Sequence, residues 1–76
     1  MKTYIVNIEY RKGAGKILGP FSTFENAQRE MLNYLGMTLE EIAEYEKEYE
    51  EFDSCFDKGT FYSEEESVEI LERELE

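Results

Sequence analysis

The sequence predicts an α+β fold in one compact domain over residues 1–76: an N-terminal β-hairpin, two helices, then a third antiparallel strand, in the order ββααβ. Three observations carry this. Apolar residues alternate at the N-terminus, two capped stripes of helical period fill the middle, and alternation returns near the C-terminus. A chain of 76 residues that is 41% hydrophobic, with five Phe and six Tyr, suffices for one core and leaves no length for a second domain.

Tyr4, Val6, Ile8 and Tyr10 alternate with Ile5, Asn7 and Glu9, the pattern of a half-buried strand from Thr3 to Tyr10. The polar, glycine-rich Arg11–Lys16 segment forms the tip of a hairpin. Ile17 and Leu18 resume the strand until Gly19-Pro20 stops it. Ser22 with Glu25 reads as a capping box, so Ser22 or Thr23 opens a helix. Phe24, Ala27, Met31, Leu32 and Leu35 make its apolar stripe, interrupted by Gln28, and Gly36 ends it in the left-handed conformation.

Thr38 with Glu41 repeats the capping signature and starts a second helix running to Phe52 or Phe56, with Ile42, Tyr45, Tyr49, Phe52 and Phe56 on its buried face. Asp57-Lys58-Gly59 breaks the pattern, and Thr60-Phe61-Tyr62 suit a short extended segment. The last segment supports two readings. Ser63 with Glu66 is a third capping signature, and Val68, Leu71 and Leu75 share a helical face, whereas Val68 and Ile70 alternate as in a strand. A lone two-stranded hairpin is marginal, so a strand over Val68–Arg73 is preferred to a third helix.

Eight Lys and Arg against nineteen Asp and Glu give a net charge of −11 and a pI near 4.3. Such a surface repels nucleic acid and anionic membranes and attracts basic partners. The charge is unevenly divided. Residues 1–39 hold five bases and three acids, or +2; residues 40–76 hold three bases and sixteen acids, or −13.

Several chemistries have no support. There is no His, which excludes Ser-His-Asp and Cys-His arrangements, and Asp53 and Asp57 give a Cys55 thiolate no cationic support. Gly13-Ala14-Gly15-Lys16 lacks the glycine spacing of a phosphate loop, and Ile17 stands where that loop needs Ser or Thr. Read as a calcium loop from Asp53, the segment has acids in permitted places at Asp57 and Glu64, but Lys58 occupies the position that requires glycine and Gly59 comes one place late. Paired carboxylates arise here by composition alone, and so short a chain has little room for a substrate cleft. No catalytic, cofactor-binding or metal-binding residue is assigned, and the chain is expected not to be an enzyme. The lone Cys55 and the absence of an export-signal core fit a reducing cytoplasm.

The informative stretch is Glu40–Asp53, with eight acids and one Lys, net −7 over fourteen residues. As a continuous helix it would carry one net charge per about 3 Å, against one phosphate per about 3.4 Å of a nucleic-acid strand. Glu40, Glu44, Glu48 and Glu51 lie on one stripe whose mutual repulsion only Lys47 relieves. The expected partner-binding residues are therefore Glu40, Glu41, Glu44, Glu48, Glu51 and Asp53, joined by Glu64, Glu65 and Glu66. The expected partner is a basic, nucleic-acid-binding protein, engaged by imitating phosphates, rather than nucleic acid or a membrane. In size and charge the chain is similar to small acidic inhibitors of phages and mobile elements, such as anti-restriction and anti-CRISPR proteins, although no motif marks such a family. The alternative is a structural or regulatory adaptor that self-associates or docks through Tyr45, Tyr49 and Phe52 or through an exposed sheet edge, its acids serving solubility.

Overall fold

In the computed structural model, which describes residues 1–74, the chain is α+β. Its elements are β1 (Lys2–Tyr10), β2 (Lys16–Phe21), α1 (Phe24–Leu35), α2 (Leu39–Glu48), β3 (Thr60–Tyr62) and β4 (Glu66–Glu74), with 3₁₀ turns at Glu50–Phe52 and Phe56–Lys58 between α2 and β3. The strands form one antiparallel sheet in the order β2-β1-β4-β3.

The alternation read from the sequence sets the layers. In the central β1/β4 pair, Ile8 faces Val68 and Val6 faces Ile70, so the even-numbered residues of both strands share one face. That face is closed by Ala27 and Met31 of α1 and by Ile42, Phe56 and Phe61, all buried. Gln28, the one polar residue in the α1 stripe, is accounted for. Its Nε2 donates to the Phe56 carbonyl at 3.0 Å, satisfying a backbone acceptor in the turn below.

Five expectations need correction. First, β2 continues through Gly19-Pro20 to Phe21 instead of stopping there. It is an edge strand, where the missing proline N–H costs no ladder bond, and the register shifts between Tyr4 and Val6 to accommodate it. Second, of the two residues that could open α1 it is Thr23 that caps it, its hydroxyl accepting from the Asn26 N–H at 3.1 Å, in place of the expected Ser22–Glu25 box. Gly36 closes that helix in the left-handed region, φ 67°, as expected.

Third, α2 ends at Glu48 rather than at Phe52 or Phe56. Acids crowd its C-terminal end, where the helix dipole disfavours them, and Lys47 is the only base in its last turn. The chain then folds back on itself. The Glu46 carboxylate accepts the Phe56 N–H at 3.2 Å, and the two 3₁₀ turns drop Phe56 into the core.

Fourth, Thr60–Tyr62 is a true strand paired with β4, so the order is ββααββ with four strands. Fifth, β4 spans Glu66–Glu74, longer than Val68–Arg73, and the Ser63–Glu66 signature is a hairpin turn. The Ser63 hydroxyl accepts from the Glu65 and Glu66 N–H groups and the Ser63 N–H donates to the Glu66 carbonyl, a local pattern that helix caps and tight turns share. Leu75, which the helical alternative invoked, lies outside the described residues. Gly59 sits between the second 3₁₀ turn and β3 at φ 79°. A Cβ there would stand 2.8 Å from the Ile70 Cβ and 3.1 Å from the Phe24 ring.

Candidate functional site

The acids from Glu40 onward separate by what surrounds them. Helix α2 begins with the expected capping box. The Thr38 hydroxyl accepts from the Glu41 N–H at 3.2 Å, and the Glu41 carboxylate accepts from the Thr38 N–H at 3.1 Å. Glu41 therefore stabilises the helix start while remaining exposed. Glu40, Glu44 and Glu48 project from α2 into solvent. Among the described residues, their carboxylates accept no hydrogen bond within the chain and stand in no ion pair. Lys2 and Glu72, 3.3 Å apart, form an ion pair on the sheet, away from this row.

Truncation of α2 shortens the row and lowers its charge density only slightly. Residues 40–48 hold five acids and Lys47, net −4, over about 13 Å of helix axis, which is one charge per about 3.4 Å. Glu51 leaves the stripe: it lies exposed in the first 3₁₀ turn, which Asp53 closes in the left-handed conformation, φ 59°.

The β3–β4 turn brings a second group of acids alongside. Glu64 and Glu65 are exposed at its tip and, together with Ser63, face Tyr45, Tyr49 and Phe52 across a groove of about 430 Å³. Its aromatic wall is continuous: Tyr45 and Tyr49 have ring centroids 4.8 Å apart, and Tyr49 and Phe52 lie 6.1 Å apart. Phe61 stacks on Tyr45 from the core side at 4.6 Å. The Tyr45 hydroxyl donates to the Tyr62 carbonyl at 2.7 Å and anchors the wall to β3. Burial first, and then the negative field of Tyr49, Glu51 and Glu64, push this hydroxyl above the ordinary tyrosine range. Tyr62, which donates to Glu69 at 3.2 Å, is raised for similar reasons: burial, Glu69 and Asp53 oppose its ionisation, partly offset by Thr60.

Glu66 belongs to neither group. It is half-buried on the helix side of the sheet, and its Oε2 accepts from the Tyr34 hydroxyl at 2.6 Å. With that proton committed, Tyr10 donates to the Tyr34 oxygen across 2.9 Å. Burial, these hydrogen bonds and the Glu66 charge raise Tyr34 well above the usual tyrosine range, and the Lys16 ammonium lies 4.9 Å from the centre of its ring. Strand parity signals this arrangement: a carboxylate two residues before Val68 and opposite Tyr10 falls on the core face and needs a donor.

The basic hairpin tip lies next to the acidic one. The Arg11 N–H donates to the Glu65 carbonyl at 2.9 Å, and Arg11 and Lys12 line a cleft of about 410 Å³ with Tyr10, Glu64 and Glu65. Glu64 and Glu65 thus form a partition, cationic on one side and aromatic on the other. Among the described residues, no group of His, Cys, Asp and Glu side chains is disposed to hold a metal ion, and no helix is long and apolar enough to cross a membrane. No protein family, curated protein or solved structure gives a significant match to the chain.

Proposed function

We propose that the protein is a non-enzymatic binding module whose acidic edge, helix α2 with the turns that follow it, docks on the basic surface of a nucleic-acid-binding protein and excludes nucleic acid from it. The supporting observation is the exposed row Glu40, Glu44 and Glu48, unpaired among the described residues, on a helix whose net charge per unit length matches that of a phosphate strand. Glu41 adds to this field, and Glu51, Asp53, Glu64 and Glu65 extend it beyond the helix. Glu66 contributes charge only, because its carboxylate is engaged by Tyr34. Inhibition would be competitive and electrostatic, fast to associate at low salt and weakened as salt rises.

The test is affinity capture from a cell extract at low and high salt, repeated with added DNA duplex and with a Glu44→Lys, Glu48→Lys variant. A specific partner should be lost under each of the three perturbations. A partner retained through all of them would overturn the phosphate-mimic reading. It would favour the adaptor alternative, for which the observation is the exposure of Tyr49, 38%, in an otherwise packed aromatic stripe.

A further inference from the structure

We infer that the groove between Tyr45, Tyr49, Phe52 and the β3–β4 turn receives an arginine side chain of the basic partner; this rests on the binding function proposed above and specifies its anchor. The groove joins two features that the sequence presents as rivals, the aromatic stripe and the acids. An aromatic wall alone would suit an apolar side chain, and carboxylates alone would suit any cation. Together they select a cation with a flat, weakly hydrated face.

The guanidinium is that group. It stacks on aromatic rings and forks onto carboxylates, whereas an ammonium is a compact, strongly hydrated point charge. Tyr49 offers the ring surface, since it is the exposed member of the stripe, and Glu64 and Glu65 offer carboxylates on the opposite wall. Glu51 and Glu64 both act on the Tyr45 hydroxyl, so negative charge reaches the groove from the 3₁₀ turn as well as from the hairpin. Among the described residues, no cation lines it. Arg11 and Lys12 approach Glu64 and Glu65 from the neighbouring cleft, leaving the aromatic side open. A single anchored side chain also gives register to an interface otherwise made of diffuse charge, which attracts without positioning.

The full-length protein can be titrated calorimetrically, at low salt, with an oligo-arginine and an oligo-lysine peptide of equal length. The arginine peptide should bind roughly 5- to 30-fold more tightly, the range expected of a partly desolvated cation–π contact. Tyr49→Leu keeps apolar bulk at an exposed position. It should abolish that preference, bringing the affinity of the arginine peptide down to that of the lysine peptide, while leaving the unfolding temperature near that of the parent. Equal affinities for the two peptides, or a preference that survives Tyr49→Leu, overturn the arginine site. If equal affinities both fall with Glu44→Lys, Glu48→Lys, the acidic-edge function stands without the groove. If neither peptide binds, the function proposed above falls with it.

Discussion

Neutralising Glu44 should stabilise the fold, and the gain can be worked from its position. On α2, Glu40 and Glu48 lie one helical turn away on either side of Glu44, Glu41 lies three residues before it, and Lys47 three residues after. Neighbours at these spacings are about 6 Å apart, where two unit charges in water interact by about 0.7 kcal/mol, reduced to about 0.3 kcal/mol by physiological salt. Three repulsions against one attraction leave two net repulsions, so Glu44→Gln should add about 0.6 kcal/mol. Gln and Glu have similar helix propensities, so little else changes. For a domain of this size that is about 3–5 °C in midpoint temperature. The salt series is the sharper assay. The gain should rise to about 1.1 kcal/mol at 0.01 M salt and shrink to about 0.2 kcal/mol at 1 M, as the screening length falls. Thermal or urea unfolding followed by circular dichroism reads both. A gain that is flat across salt, or a loss of stability at low salt, would refute the uncompensated row.

Two further outcomes test the packing around the site. Tyr34→Phe removes the donor to Glu66 and the acceptor for Tyr10, and should cost about 1.5–3 kcal/mol near neutral pH, measured by urea unfolding. Because folding raises the Tyr34 pKa, its stabilising share is complete below the unfolded value of about 10 and is lost as pH climbs above it. The parent's advantage over Tyr34→Phe should therefore narrow above about pH 10; a constant gap would show that the hydroxyl is not held protonated by the fold. Gly59→Ala should cost about 2–4 kcal/mol, combining the left-handed backbone with the 2.8 Å approach of the new Cβ to Ile70. A shift in the urea midpoint equivalent to less than about 1 kcal/mol would mean that β3 and β4 do not close so tightly over Phe24.

What could be read from the sequence was what short-range chemistry encodes. The alternation of Tyr4, Val6, Ile8 and Tyr10, the left-handed Gly36 and the Thr38–Glu41 box are local signals, and each appears where its spacing places it. The errors fall where a local signal has two structural solutions. Ser63 with Glu66 satisfies a helix start and a hairpin turn equally, and only pairing of Phe61 with Val68 decides between them. Tyr49, Phe52 and Phe56 continue a helical spacing, yet 3₁₀ turns deliver Phe56 to the core after the helix has ended. Thr60–Tyr62 reads as extended from its residue types, but three residues are too few for alternation to show that it joins the sheet. For the same reason the acidic row was legible and the groove was not. Glu40, Glu44 and Glu48 are neighbours through helix geometry, whereas Glu64 reaches Tyr45 only through the β3–β4 turn.

Four carboxylates partnered across elements of the fold show what the α2 row lacks. Glu46 holds the Phe56 N–H, Glu66 the Tyr34 hydroxyl, Glu69 the Tyr62 hydroxyl and Glu72 the Lys2 ammonium. Each meets a donor brought to it by the fold. Among the described residues, Glu40, Glu44 and Glu48 have none, and they repel one another on a helix that Lys47 alone relieves locally. This makes two salt responses of opposite sign depend on the same three side chains. Added salt screens their mutual repulsion and so stabilises α2, while screening their attraction for a basic partner and so weakening binding. A face that serves solubility alone would show the first response without the second. If the row is the interface, substitutions at Glu44 or Glu48 that raise stability should lower affinity in parallel, because both effects arise from one charge.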